Sequence, residues 1–145
     1  MYVEDTPAWI DDQGIATRKF APGEALWVQG AVGYTLQTAG EVGVKDVIVN
    51  LVNGNVAVGN PFPVAVNIQD IVASGDDVEG TVSLQTLTSA GKADEIFTWD
   101  TWMYVEDTPA WIDDVGISTR DFAPGEGLWV QGAVGYTLRI PAPEF

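Results

Sequence analysis

The groups in this chain able to do chemistry are carboxylates and aromatic rings. There is no His and no Cys, which removes imidazole bases, thiolate nucleophiles, zinc sites and disulfides together. The acids fall into three groups: Glu4, Asp5, Asp11 and Asp12; the matching Glu106, Asp107, Asp113 and Asp114; and Asp76, Asp77 and Glu79, set between Gly75 and Gly80. An oxygen-rich loop of the last kind can hold Ca²⁺, which makes Asp76, Asp77 and Glu79 the candidate ligands. Their spacing departs from the EF-hand loop of about 12 residues, and a solvated acidic loop is the simpler reading. Paired acids also raise glycoside hydrolysis, which needs two carboxyls about 5–10 Å apart across a sugar, yet no pair here has a distinguishing spacing. Nucleophile-elbow, phosphate-loop, dinucleotide and zinc motifs are all missing. The expectation is a chain that is not an enzyme and has no cofactor beyond Ca²⁺.

The rings offer a second chemistry. Trp99 and Trp102 lie three residues apart in a strand-like run and so face opposite sides. Trp102 shares its side with Asp100 and Tyr104. Stacked rings beside acids suit a sugar, since a ring face covers the apolar side of a pyranose and a carboxylate accepts its hydroxyls. Trp99, Asp100, Trp102 and Tyr104 are therefore the candidate polysaccharide site. Trp27, between Leu26 and Val28 and directly after a turn, reads as core.

The elements that must position these groups are governed by a duplication. Residues 1–36 return as residues 103–138, with differences only at Gln13/Val115, Ala16/Ser118, Lys19/Asp121 and Ala25/Gly127. The chain divides into a first copy, A1 (1–42), a segment B (43–102) without internal similarity to A, and a second copy, A2 (103–145), read as one β domain. Met103 falls inside the run from Ile96 to Val105, so A1 reads as starting in mid-strand, as would a piece cut from a longer tandem array. Glu144–Phe145 reads as a possible cloning remnant.

Local signals are β throughout. Asn53–Gly54 between Asp46–Val52 and Asn55–Val58 predicts a hairpin. Two prolines take Gly59–Pro63 out of any ladder. Val64–Ile68 and Thr81–Leu87 alternate as strands, Ile68–Ala73 reads as strand or helical turn, and Glu95–Val105 as a long aromatic strand. Ala21–Glu24 has Pro and Gly at the centre of a type II turn, followed by short strands around Leu26–Val28 and Tyr34–Leu36. No stretch carries a helical stripe. The fold class is all-β: an antiparallel sandwich or small barrel in an A–B–A arrangement.

Charge and length bound the partners. The net charge of −15 repels phosphate backbones and anionic membranes. No apolar run approaches the roughly 20 residues of a membrane helix, and no signal peptide is visible. Two phrases, Gly59-Asn-Pro-Phe-Pro63 and Pro124-Gly-Glu-Gly-Leu-Trp-Val130 (with its copy Pro22-Gly-Glu-Ala-Leu-Trp-Val28), resemble motifs in repeat modules of secreted or surface-displayed bacterial proteins. The resemblance implies an extracellular β-module.

If one closed fold needs one A and one B, the other A keeps unpaired edges and exposed apolar residues, which recruit further chains. The expected role is structural or adhesive, with β-strand exchange into a dimer or fibre. The exchanging residues would be Leu26, Trp27, Val28, Tyr34 and Leu36, and their copies Leu128, Trp129, Val130, Tyr136 and Leu138. Carbohydrate binding is the alternative.

Overall fold

The computed structural model describes residues 2–3, 8–37, 42–87, 93–100 and 109–144. A1 contributes β1 (Tyr2–Val3), β2 (Ala8–Asp11) and β3 (Gly14–Ile15). B contributes β4 (Val47–Asn50), β5 (Gly54–Gly59), β6 (Val66–Asn67), a 3-10 turn (Ile68–Asp70), β7 (Val72–Ser74), a one-turn helix α1 (Val78–Thr81), β8 (Ser83–Leu87) and β9 (Ala93–Asp100). A2 contributes β10 (Ala110–Asp113), β11 (Gly116–Ile117), β12 (Asp121–Phe122), β13 (Gly127–Gly132) and β14 (Thr137–Ile140).

The strands form an antiparallel sandwich rather than a barrel. One sheet runs β11-β10-β9-β8-β13-β5, and the other runs β4-β14-β7. Smaller pairings are β12 with β6, and β1-β2-β3 within A1. Leu84, Phe97 and Val130 of the first sheet and Leu138 and Ile140 of the second meet in one core, which Phe62, Ile68 and Ile71 help to fill. The reason is period-two alternation: in β13, Leu128 and Val130 are buried, Gln131 is exposed and Trp129 is half-buried, because successive side chains leave a strand on opposite faces.

β13 holds the large sheet together, as it lies between β5 and β8. Leu128 is opposite Val58 on one side and Thr86 on the other; Val130 is opposite Val56 and Leu84. In the small sheet β14 likewise lies between two strands of B, β4 and β7. A2 therefore supplies an interior strand of both sheets.

The hairpin expected at Asn53–Gly54 does not form. β4 and β5 belong to different sheets, β4 pairing with β14 from Val47↔Ile140 to Asn50↔Thr137, and β5 with β13 from Gly54↔Gly132 to Gly59↔Gly127. Pairing β4 with β5 would forgo β14 and β13 of A2, so the non-local partners win. Gly54, at φ +97°, serves a corner between the sheets instead. The Val134 N–H donates to Asn53 Oδ1 at 3.1 Å, tying this corner to the one between β13 and β14. The ambiguous Ile68–Ala73 stretch divides into the 3-10 turn and β7. Asn67 caps the turn by accepting the Gln69 N–H at 2.9 Å.

Candidate functional site

Two copies of one sequence stand in opposite environments, and that contrast defines the candidate site. Trp111, Phe122, Leu128, Val130 and Leu138 of A2 are 0–2% exposed. Their copies in A1, Trp9, Phe20, Leu26, Val28 and Leu36, are 46–53% exposed. B is completed by A2, and A1 is the copy left over.

B grips A2 through polar side chains set among apolar ones. Gln69 donates from Nε2 to the Trp111 and Ser118 carbonyls, at 2.8 and 2.7 Å, and accepts the Trp111 N–H on Oε1 at 2.9 Å. Trp111 Nε1–H donates to the Ile71 carbonyl at 2.8 Å, which satisfies the polar end of a fully buried ring. Asn60 of the Gly59–Pro63 phrase donates from Nδ2 to the Phe122 carbonyl at 2.7 Å and to the Val64 carbonyl at 2.9 Å, and accepts the Phe62 N–H at 2.9 Å. Its backbone N–H reaches the Glu126 carbonyl at 3.0 Å. The phrase that carries the bacterial resemblance is thus, in this chain, a loop that holds A2. Gln69 escaped the sequence reading because a lone Gln beside a turn carries no local signal.

A1 has the local structure of A2 without its strand partners. The hairpin β2–β3 repeats β10–β11, with Ile10 opposite Ile15 as Ile112 is opposite Ile117. The type II turns match: the Glu24 N–H reaches the Ala21 carbonyl at 3.0 Å and the Glu126 N–H the Ala123 carbonyl at 3.1 Å, with Gly23 and Gly125 at φ +83° and +75°. Arg18 pairs with Glu24 as Arg120 pairs with Glu126. Residues 25–30 and 34–37, however, form no strand, whereas their copies are the centres of β13 and β14. The short strands expected at Leu26–Val28 and Tyr34–Leu36 are therefore absent from A1, because a strand needs a neighbour to accept its hydrogen bonds.

Among the described residues, the turn at Gly23–Glu24 joins A1 to B. Glu24 bridges to Val58 on the open edge of β5, and the Gly59 N–H donates to the Gly23 carbonyl at 2.9 Å. The approach is close: a Cβ on Gly59 would stand 2.8 Å from the Glu24 carbonyl oxygen.

Trp27 is not a core residue. It is 65% exposed, and its copy Trp129 is only half-buried even within the finished sheet. For Trp129 alternation explains this, since Leu128 and Val130 on either side take the inward face; Trp27 lies in a segment that forms no strand, where Leu26 and Val28 are exposed as well. Tyr34 is likewise exposed, while Tyr136 packs on Gly75 and its hydroxyl accepts the Asp77 N–H at 3.1 Å.

The other expected sites are less compact. Trp99 lies inside the sandwich, edge-on to Trp111 with ring centroids 4.8 Å apart. Trp102, Tyr104 and the side chain of Asp100 lie outside the described residues, as do Glu4, Asp5, Glu106 and Asp107. Asp76 and Asp77 sit in an exposed bend, with Glu79 in α1. Among the described residues no three acidic side chains come together to hold a metal ion. A groove of about 470 Å³ beside β6 and β14 is lined in part by Asn67, Asp70 and Arg139. Asp46 binds Arg139 at 2.8 Å and accepts the Ala142 N–H at 2.9 Å. That N–H first, and the guanidinium second, hold the Asp46 carboxyl below its usual range. Glu24 is lowered likewise, first by the Ala21 N–H and then by Arg18. Lowered carboxyls are weaker bases, the direction of structural bonding and not of proton transfer.

Comparison with protein-family models, curated proteins and solved structures finds no match for this chain.

Proposed function

We propose that the chain is a non-enzymatic structural module of a secreted or surface-displayed bacterial repeat protein, and that it holds to other copies through A1. One observation carries this reading: the five apolar side chains that A2 buries against B stand open in A1. Taking such a side chain from full exposure to full burial is worth about 1.5–3 kcal/mol. These five are about half exposed, so roughly half of that remains for each, and together the face drives association. Beside it, β5 offers a strand edge met only by the Gly23–Glu24 turn among the described residues, and open edges pair with further chains.

Strand exchange is the proposed mechanism. A1 has the sequence to take the place of A2 on a neighbour's B. Each replacement frees one A2, which can act on the next chain, so association propagates without closing.

Light scattering across a wide concentration range tests the proposal. The 145-residue chain is expected to gain mass as concentration rises, whereas a variant lacking residues 1–36 stays monomeric and keeps the cooperative unfolding of B with A2. A full chain that is monomeric at every concentration would refute the reading.

A further inference from the structure

We propose that A1 is a docking site for a B-type segment of another polypeptide, a stretch with the sequence of residues 43–100, and that A1 takes it in the register A2 uses. The inference rests on A1 being the associating element and names what A1 associates with.

A2 displays the occupant. Apart from Ile140, whose counterpart is Thr38, every large side chain that A2 buries against B has an identical counterpart in A1. Transposed by the repeat, Leu26 would lie opposite Val58 and Thr86 of the incoming segment, and Val28 opposite Val56 and Leu84. The four differences leave the buried apolar contacts of the repeat in place. Past the repeat, Gln37 and Thr38 stand where A2 has Arg139 and Ile140, so the Arg139–Asp46 pair and the burial of Ile140 are not reproduced. Gln13 and Lys19 replace exposed Val115 and Asp121, and Lys19 gives up the bond that Asp121 Oδ1 accepts from Asn67 Nδ2 of B at 3.5 Å. Ala16 in place of Ser118 is smaller and gives up one hydrogen bond, from the Arg120 N–H to Ser118 Oγ at 3.2 Å. Ala25 in place of Gly127 adds a methyl whose nearest B atom would be the Val58 carbonyl oxygen, 3.9 Å away.

Shape and charge are also in place. A1 already holds the hairpin, the turn and the Arg18–Glu24 pair that A2 presents, so the ordering left to binding is that of residues 25–30 and 34–37 into strands. In A2, Arg120 also reaches Glu95 of B at 3.6 Å; Arg18 stands ready for the same acid on the incoming segment.

Stoichiometry selects that segment over the B of an intact copy. Each chain has two A copies and one B, and A2 occupies that B. Exchange among identical chains only passes the surplus A from one to another, so filling A1 requires a B whose own A is absent.

The test adds a polypeptide of residues 43–100 to the full chain and reads mass by light scattering and trypsin cleavage after Arg18 and Lys19. A one-to-one complex is expected, with cleavage there slowed tenfold or more. A second format fuses residues 43–102 ahead of Met1, recreating the Trp102–Met103 junction, and decides the matter if the free polypeptide precipitates. Leu26→Asp with Val28→Asp is expected to abolish protection in either format while the unfolding of B with A2 is unchanged. Equal cleavage with and without the added segment in the fused format, or equal protection in the double variant, would overturn the inference. Self-association without uptake of the segment sinks this inference alone; uptake by a chain that is otherwise monomeric sinks only the self-association reading.

Discussion

Trp111→Ala is expected to cost about 3–5 kcal/mol, the usual loss for a large buried ring, since its side chain is fully enclosed and its indole N–H bonded. Trp9→Ala, the same change in the same local sequence, is expected to cost less than about 0.5 kcal/mol, as for other exposed positions. Urea unfolding of the two variants measures the difference directly; equal losses would mean that A1 shares in the packing of B. Gln69→Leu should also destabilise, by about 1–3 kcal/mol for each backbone group it leaves unsatisfied. Asp46 sets part of the acid response. A carboxyl lowered in the folded state adds stability above its unfolded pKa and loses it as pH falls through the folded one. Stability should thus decline on acidification below the ordinary carboxylate range, and Asp46→Asn should flatten that decline in thermal melts taken from neutral to acid pH.

Among the elements, the turn at Gly23–Glu24 can be separated from the sandwich it touches. In Gly59→Ala the new methyl meets Glu24 at 2.8 Å, with nothing from B or A2 among its nearest neighbours. Trypsin should then cut faster after Arg18 and Lys19, with the unfolding midpoint of B and A2 nearly unchanged. Gly75→Ala acts on A2 instead: its methyl would overlap the Tyr136 ring at 1.9 Å, and overpacking of this kind costs about 1–3 kcal/mol, read by the same unfolding measurement. What the sequence made legible at this scale is local. Alternation marks Leu128 and Val130 as one face, and Pro–Gly marks both type II turns. The partners of β4 and β5 were not legible, because Asn53–Gly54 has the same local signal whether it closes a hairpin or turns a corner between sheets. Nor could alternation decide the role of Trp27, whose large ring suggested burial while its segment finds no strand partner and leaves Leu26 and Val28 exposed beside it. The candidate site was legible as a duplication, but A1 and A2 read alike. Only the long-range ladders of β13 and β14 decide which copy is filled.

For the whole molecule, a charge of −15 opposes any contact between copies. Added salt screens that repulsion, since the Debye length is about 10 Å at 0.1 M and about 3 Å at 1 M. Self-association should therefore strengthen as NaCl rises, visible as greater mass at fixed protein concentration; weakening would point to an ion-paired contact instead of the apolar one. The small turn on the rim of β5 matters at this scale too. Exposed strand rims let β-proteins stack sideways into tangles. Here the copy of A that precedes a B rests its turn on that B's rim, through Gly23 and Gly59. In a long series of such units each would shield the flank of the next, leaving lengthwise extension as the open direction and giving a thread in place of a mat.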